Sequence, residues 1–268
     1  MLACFADPRE GGNEMSNEEE TIVASPAVPC TAFGVSRRAF IKAHAAAAGI
    51  GALGVPLFVQ ADEPTPISLP PPKTDGNVSI EATLKQRRSE RYFAAKPLTL
   101  AEVGQLCWAA QGVTSTDHHR TAPSARAIYP LELYVAAGSV TGLSTGFYHY
   151  RPANHSLELI DATDKRADLD QRAVSQSWNP IAKAPTVFVI SGNVAKMADT
   201  TDPLVHERAA QFTWVEAGLA AQGLFLEATA MGLGSVFTGG FRPKDAHAVL
   251  GLPSSEEVLG ILPVGRKV

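Results

Sequence analysis

Cysteine is scarce. Cys4, Cys30 and Cys107 are the whole complement of 268 residues, with neither a CxxC pair nor a histidine at metal-ligand spacing, which excludes a zinc site and a redox dithiol. Cys4 and Cys30 precede the segment read below as an export signal, so its removal leaves Cys107 alone and no internal disulfide can form. A lone thiol on an apolar helical face reads as core. A basic stripe is missing too. Lys and Arg number 23 against 27 Asp and Glu, the net charge is −4, and the cations are dispersed, leaving no electrostatic footprint for nucleic acid. There is no G-x-S-x-G elbow, and the serines and histidines stand in no triad context, so no hydrolase is indicated. Internal repeats and low-complexity tracts are absent. What remains is a chain that is 45% hydrophobic and long enough for one sizeable core.

Ser36, Arg37, Arg38, Ala39, Phe40, Ile41 and Lys42 are followed by an almost uncharged run through Val59, the layout of a twin-arginine signal. Its alanines and glycines make it only mildly hydrophobic, a poor permanent membrane span. Val59 and Ala61 are small residues at cleavage spacing, so cleavage after Ala61 is expected. The competing reading is a chance arginine pair ahead of a buried helix. Export predicts passage through the twin-arginine translocase and a periplasmic location. Within this segment Gly49, Gly51 and Gly54 match G-x-G-x-x-G literally, but no strand precedes them, so a Rossmann site is rejected.

Residues 1–61 are therefore set apart as the N-terminal region with its signal. Residues 62–78, with Pro64, Pro66, Pro70, Pro71 and Pro72, read as a linker or surface arm. The folded domain is expected over 79–268. Ser79 caps a helix with Ile80, Thr83 and Leu84 facing inward, ending in the cluster Arg87, Arg88, Ser89 and Arg91. Thr99 and Glu102 form a capping box for a second helix, with Val103, Leu106, Cys107 and Ala110 as its apolar row and Gly112 as its stop. Strands are predicted at 131–137, 186–191, 235–238 and 258–264, with a hairpin over 146–160 turning near Pro152 and Asn154. Residues 161–180 read as irregular or helical. A long helix is expected over 203–231, with Phe212, Val215, Leu219 and Leu226 among small residues. Close core packing and a dimer interface explain that composition equally well.

Arg87, Arg88 and Ser89 offer forked guanidinium donors plus a hydroxyl, the equipment for a phosphate monoester. The same arginines also complement a helix macrodipole, which alone would account for them. Asp117, His118 and His119 sit in a polar loop without convergent metal ligands of suitable spacing. Tyr148 and Trp178 fit either a substrate pocket or core packing.

Several segments read together resemble the nitroreductase superfamily: 87–89 (R-R-S), Ala122 to Tyr134 (A-P-S-A-R-A-I-Y-P-L-E-L-Y), Met231 to Phe241, and Leu262 to Arg266. The likeness is to the SagB-type dehydrogenase branch, related to the azoline oxidases of peptide maturation, and covers about 79–266. It implies an α+β fold, a mostly antiparallel sheet flanked by helices with a long central helix, and FMN at a homodimer interface. It further implies that Arg87, Arg88 and Ser89 hold the phosphate with Arg266, that Pro123, Ser124, Ala125 and Ala127 line the isoalloxazine, and that Phe237, Thr238, Gly239 and Gly240 bring backbone amides near the ring. Arg126 departs from the branch, which has glycine there. The implied activity is two-electron hydride transfer through flavin N5, acting on a small-molecule or peptide substrate as a dehydrogenase or oxidase. A reductase of quinones or nitroaromatics and a flavin carrier without turnover are the alternatives. No catalytic side chain is singled out, and export argues against NAD(P)H as the physiological donor.

Overall fold

The computed structural model describes residues 65–174 and 181–268. The twin-arginine segment, the cleavage position after Ala61, the Gly49–Gly54 match and Trp178 lie outside the described residues.

The strand built on the apolar run Val187 to Ile190 lies deep in the sheet. Strand β7 (Thr186–Gly192) is buried at every position, as a run that is covered on both faces must be. It pairs antiparallel with β3 (Leu131–Ala137) on one side and β9 (Glu257–Arg266) on the other. Outward from β3 come β5 (Gly146–Arg151) and β6 (Ser156–Asp161), the expected hairpin, and then β1 (Ile67–Ser68); outward from β9 comes β8 (Leu233–Ser235). All six pairings in this seven-stranded sheet are antiparallel. The short strands β2 (Leu98–Thr99) and β4 (Val140–Thr141) form a separate parallel pair.

Alternation along the strands gives the sheet two apolar faces. On one, Leu131, Leu133, Val135 and Tyr148 pack against α2 (Leu100–Gln111) and the long α5 (Ala209–Ala230). On the other, Tyr134, Ala136, Val187 and Val189 meet α6 (Pro243–Leu250) and the helical turns Arg166–Asp168 and Leu169–Ala173. Gly223 fixes how closely α2 and α5 approach, because a Cβ there would stand 2.5 Å from the Ala109 carbonyl oxygen. The capping box on α2 is formed as expected: Thr99 Oγ1 accepts from Glu102 N–H, and Glu102 accepts from Thr99 N–H.

Four expectations are corrected. The folded unit starts before Ser79: Ile67 and Ser68 pair with Leu157 and Ser156, Leu69 is buried, and His155 bonds the Pro70 carbonyl. The prolines leave carbonyl acceptors and an edge position open, so 62–78 is not simply a linker. The 203–231 helix is two: Asp202 and Pro203 start α4 (Pro203–Glu207), Arg208 leaves helical geometry (φ −106°, ψ 21°), and α5 begins at Ala209. In α1 (Ile80–Gln86), capped by Ser79, only Thr83 is buried, whereas Ile80 and Leu84 are exposed. Finally, the strand expected at 235–238 is β8, shifted to Leu233–Ser235, with Thr238 making a single bridge to Ile261.

Candidate functional site

Three segments far apart in sequence meet at the β8 edge. Ser89 bridges Ser235 in parallel, Glu90 N–H donates to the Ser235 carbonyl at 2.9 Å, and Ala94 N–H donates to the Arg266 carbonyl at 2.9 Å. Because β8 pairs Leu233 with Arg266, the cluster Arg87, Arg88 and Ser89 stands beside the end of the chain's last strand. Arg88 Nη1 donates back to the Lys85 and Arg87 carbonyls. Arg87 carries no side-chain hydrogen bond or ion pair among the described residues and Ser89 is exposed, so their donors are open to a phosphate monoester. Arg266 differs: its Nη2 lies 2.7 and 2.9 Å from the Glu102 carboxylate oxygens, so a phosphate there would compete with the helix cap.

Phe237 to Gly240 continue directly from this edge. Thr238 is buried and its N–H donates to the Ile261 carbonyl at 2.8 Å, so that amide points into the sheet. The Phe237 ring lies over Gly260, where a Cβ would fall 2.6 Å from it, and Gly239 is exposed.

Pro123, Ser124, Ala125 and Ala127 belong to a loop with unusual backbone. Arg126, Ala127 and Tyr129 have φ of 52°, 54° and 50°, left-handed values that cost a residue with a Cβ about 1 to 2 kcal/mol each. The surroundings hold the loop there. Ala125 N–H donates to Glu216 Oε1 at 2.8 Å, and Tyr129 N–H donates to Ser124 Oγ at 2.8 Å. Lys196 Nζ donates to the Tyr129 carbonyl at 2.8 Å. The Arg126 guanidinium reaches Asp202 Oδ2 at 2.5 Å, while Asp202 Oδ1 caps α4. Arg120 lies over the Tyr129 ring, 4.5 Å from its centroid. Burial raises the Glu216 carboxyl above its ordinary value, against the lowering pull of the Ala125 N–H and the Ser124 hydroxyl.

Within one chain these two groups of candidates stand apart. The loop is anchored on α5 at Glu216, whereas Arg87–Ser89 and Arg266 gather near its C-terminal end, roughly 20 Å along the axis at 1.5 Å per residue, and Phe237–Gly240 run back along β9, where Thr238 bridges Ile261.

The sequence pattern described as "Nitroreductase family" matches residues 84–266. The chain belongs to the nitroreductase family. A Methanocaldococcus jannaschii protein named as a nitroreductase is 36% identical over 191 residues, 71% of this chain and 92% of its own. The NADPH-flavin oxidoreductase of Vibrio harveyi is 33% identical over 109 residues, 39% of this chain and 44% of its own. Among crystal structures, one from Ralstonia eutropha described as a nitroreductase is 30% identical, covers 78% of this chain and 92% of that one, and has a TM-score of 0.65.

This nitroreductase-family chain is accordingly a flavin-dependent oxidoreductase with the α+β fold of its relatives. Glu216 escaped the sequence reading. The signal was a lone carboxylate in the row Thr213, Glu216, Ala217, Ala220, where every other member is small or apolar enough to bury. Tyr148 belongs to the core, its hydroxyl donating to the Ser144 carbonyl at 2.8 Å. Asp117, His118 and His119 are exposed, and no group of three metal-binding side chains occurs among the described residues.

Proposed function

We propose that the chain is an FMN-dependent oxidoreductase whose two sites are each completed by two copies of the chain. The observation that carries this reading is the separation of the two candidate groups along α5, together with the exposed apolar side chains Trp214, Val215 and Leu219 on that helix. A second copy docked on that face would bring one chain's Arg87–Ser89 toward the other's Pro123–Ala127. Open donors at Arg87 and Ser89 suit a phosphate monoester, and the rigid, glycine-free loop suits the edge of a planar ring.

Bound FMN supplies two-electron hydride chemistry at its N5 atom. The chain's part is to grip the phosphate through Arg87, Arg88 and Ser89, to fix the ring's surroundings through Ser124 and Ala125, and to screen the pocket with Phe237. Arg266 joins the phosphate only by leaving Glu102. The substrate is a small molecule or peptide oxidised by a SagB-type dehydrogenase or oxidase, a reading supported by the P-S-A-x-A-x-Y-P segment at 123–130. A quinone or nitroaromatic reductase is the second reading, favoured by the likeness to proteins named as nitroreductases. Stopped-flow reduction of purified protein by candidate donors, NADPH included, followed by reoxidation with quinone, nitroaromatic or oxygen, separates the two.

Export in folded form through the twin-arginine translocase is part of the same proposal and rests on Ser36 to Lys42. A cofactor inserted in the cytoplasm requires a folded cargo, and a periplasmic enzyme would draw electrons from a donor other than nicotinamide coenzyme. Expressing the full sequence and recording the visible spectrum of the periplasmic fraction tests both points. Flavin bands there are expected; a colourless periplasmic protein would end the FMN reading, and a yellow protein confined to the cytoplasm would end the export reading.

A further inference from the structure

We infer that Glu216 is a positioning residue for the flavin site, the acceptor that holds the Ser124–Tyr129 loop in its left-handed conformation. The inference rests on the flavin reading above. Glu216 is 4% exposed and sits on the core-facing row of α5, a place where an apolar residue would ordinarily be more stable. Its Oε1 takes the Ala125 N–H at 2.8 Å, and within the same loop Ser124 Oγ accepts from Tyr129 N–H at 2.8 Å. The carboxylate thus fixes the backbone at the start of the segment that carries the left-handed residues Arg126, Ala127 and Tyr129, and the Ser124–Tyr129 bond closes its far end. Backbone strain of this kind persists only when neighbours over-determine it, and Glu216 is the neighbour that reaches the loop backbone from the 22-residue helix α5.

The role demands an acceptor at position 216 and does not demand a charge, and this separates positioning from simple core packing. Glu216→Gln keeps an oxygen for Ala125 N–H; Glu216→Leu fills the same space without one. Full-length protein carrying each change is purified with its flavin and compared by FMN dissociation constant, thermal unfolding, and trypsin cleavage after Arg126 read by mass spectrometry. The expected result is that Glu216→Leu melts at or above the wild-type temperature yet binds FMN about tenfold more weakly, the scale of one lost charged hydrogen bond. Its loop is cut faster after Arg126, and Glu216→Gln restores both properties. Should Glu216→Leu fail to fold, Ala125→Pro removes the donor instead, in a context where Ser124 already has the extended backbone that must precede proline (φ −137°, ψ 141°), and the same tenfold loss is expected. Wild-type FMN affinity and cleavage rate in the Leu or Pro variant would overturn the assignment. Faster cleavage with unchanged FMN affinity would keep the anchor and overturn the flavin-facing placement of the loop, and a wild-type protein that binds no FMN would do the same.

Discussion

Arg126 concentrates two opposing effects in one residue. Its φ of 52° suits glycine, whereas its side chain reaches Asp202 at 2.5 Å. Replacing it with alanine loses the ion pair and keeps the backbone strain; replacing it with glycine loses the same pair and relieves the strain. Arg126→Gly is therefore expected to be more stable than Arg126→Ala by about 1 kcal/mol, read by urea denaturation, because the side-chain loss cancels between the two. Equal stabilities would mean that the loop relaxes out of the left-handed region once Asp202 is released. Glu216 gives a second residue-level prediction, in pH. Burial raises its carboxyl above the ordinary 4.5, so the folded state holds a proton that the unfolded state has released. Its contribution is fully present below pH 4.5 and is lost as pH rises through the folded value. Glu216→Gln, which carries no titrating group, should match wild type in mild acid and become the more stable of the two toward neutrality, in denaturation curves taken across that range.

At the scale of elements, Thr99, Glu102 and Arg266 show how a helix start is fastened to the last strand. Glu102 caps α2 and also receives Arg266, 164 positions away in sequence. Thr99→Ala removes one half of the box and should lower stability by about 1 kcal/mol while leaving FMN retention unchanged, checked by denaturation alongside the visible spectrum. Capping boxes of this kind are legible because their partners lie three residues apart, and the strand β7, with its apolar run Val187 to Ile190, and the hairpin of β5 and β6 are legible for the same reason: the pattern that forms them is local. The break at Arg208 was not, since no glycine or proline marks it and the apolar period runs through from Val205 to Ala209. Nor was the burial of Leu69 behind a row of prolines, which depends on His155 and on a sheet edge formed much later in the chain. In the proposed site, Arg87, Arg88 and Ser89 are legible as candidates because their donors lie side by side in sequence. Glu216 and the occupation of Arg266 declare themselves only through partners 91 and 164 residues distant.

For the whole molecule, α5 carries its apolar residues on the unexpected side. Alanines, Thr213 and Leu224 face the sheet, while Trp214, Val215 and Leu219 remain 45%, 60% and 44% exposed. Helix α1, packed against α5, adds Ile80 and Leu84 at 60% and 53%. Small residues inward bring the helix close to α2, which bears out the close core packing, and the large residues outward would suit burial against another surface. If that surface belongs to a second copy, a charge at its centre should separate the copies without unfolding either. Val215→Asp is expected to convert a dimer to a monomer in light scattering, to keep a cooperative melt at a lower temperature because neither partner nor flavin then stabilises the folded chain, and to lose FMN. Loss of flavin on dissociation is the decisive part. A monomer that retained its flavin would place both candidate groups in one chain's site despite the roughly 20 Å of helix between them, and a variant that remained dimeric would move the interface away from α5.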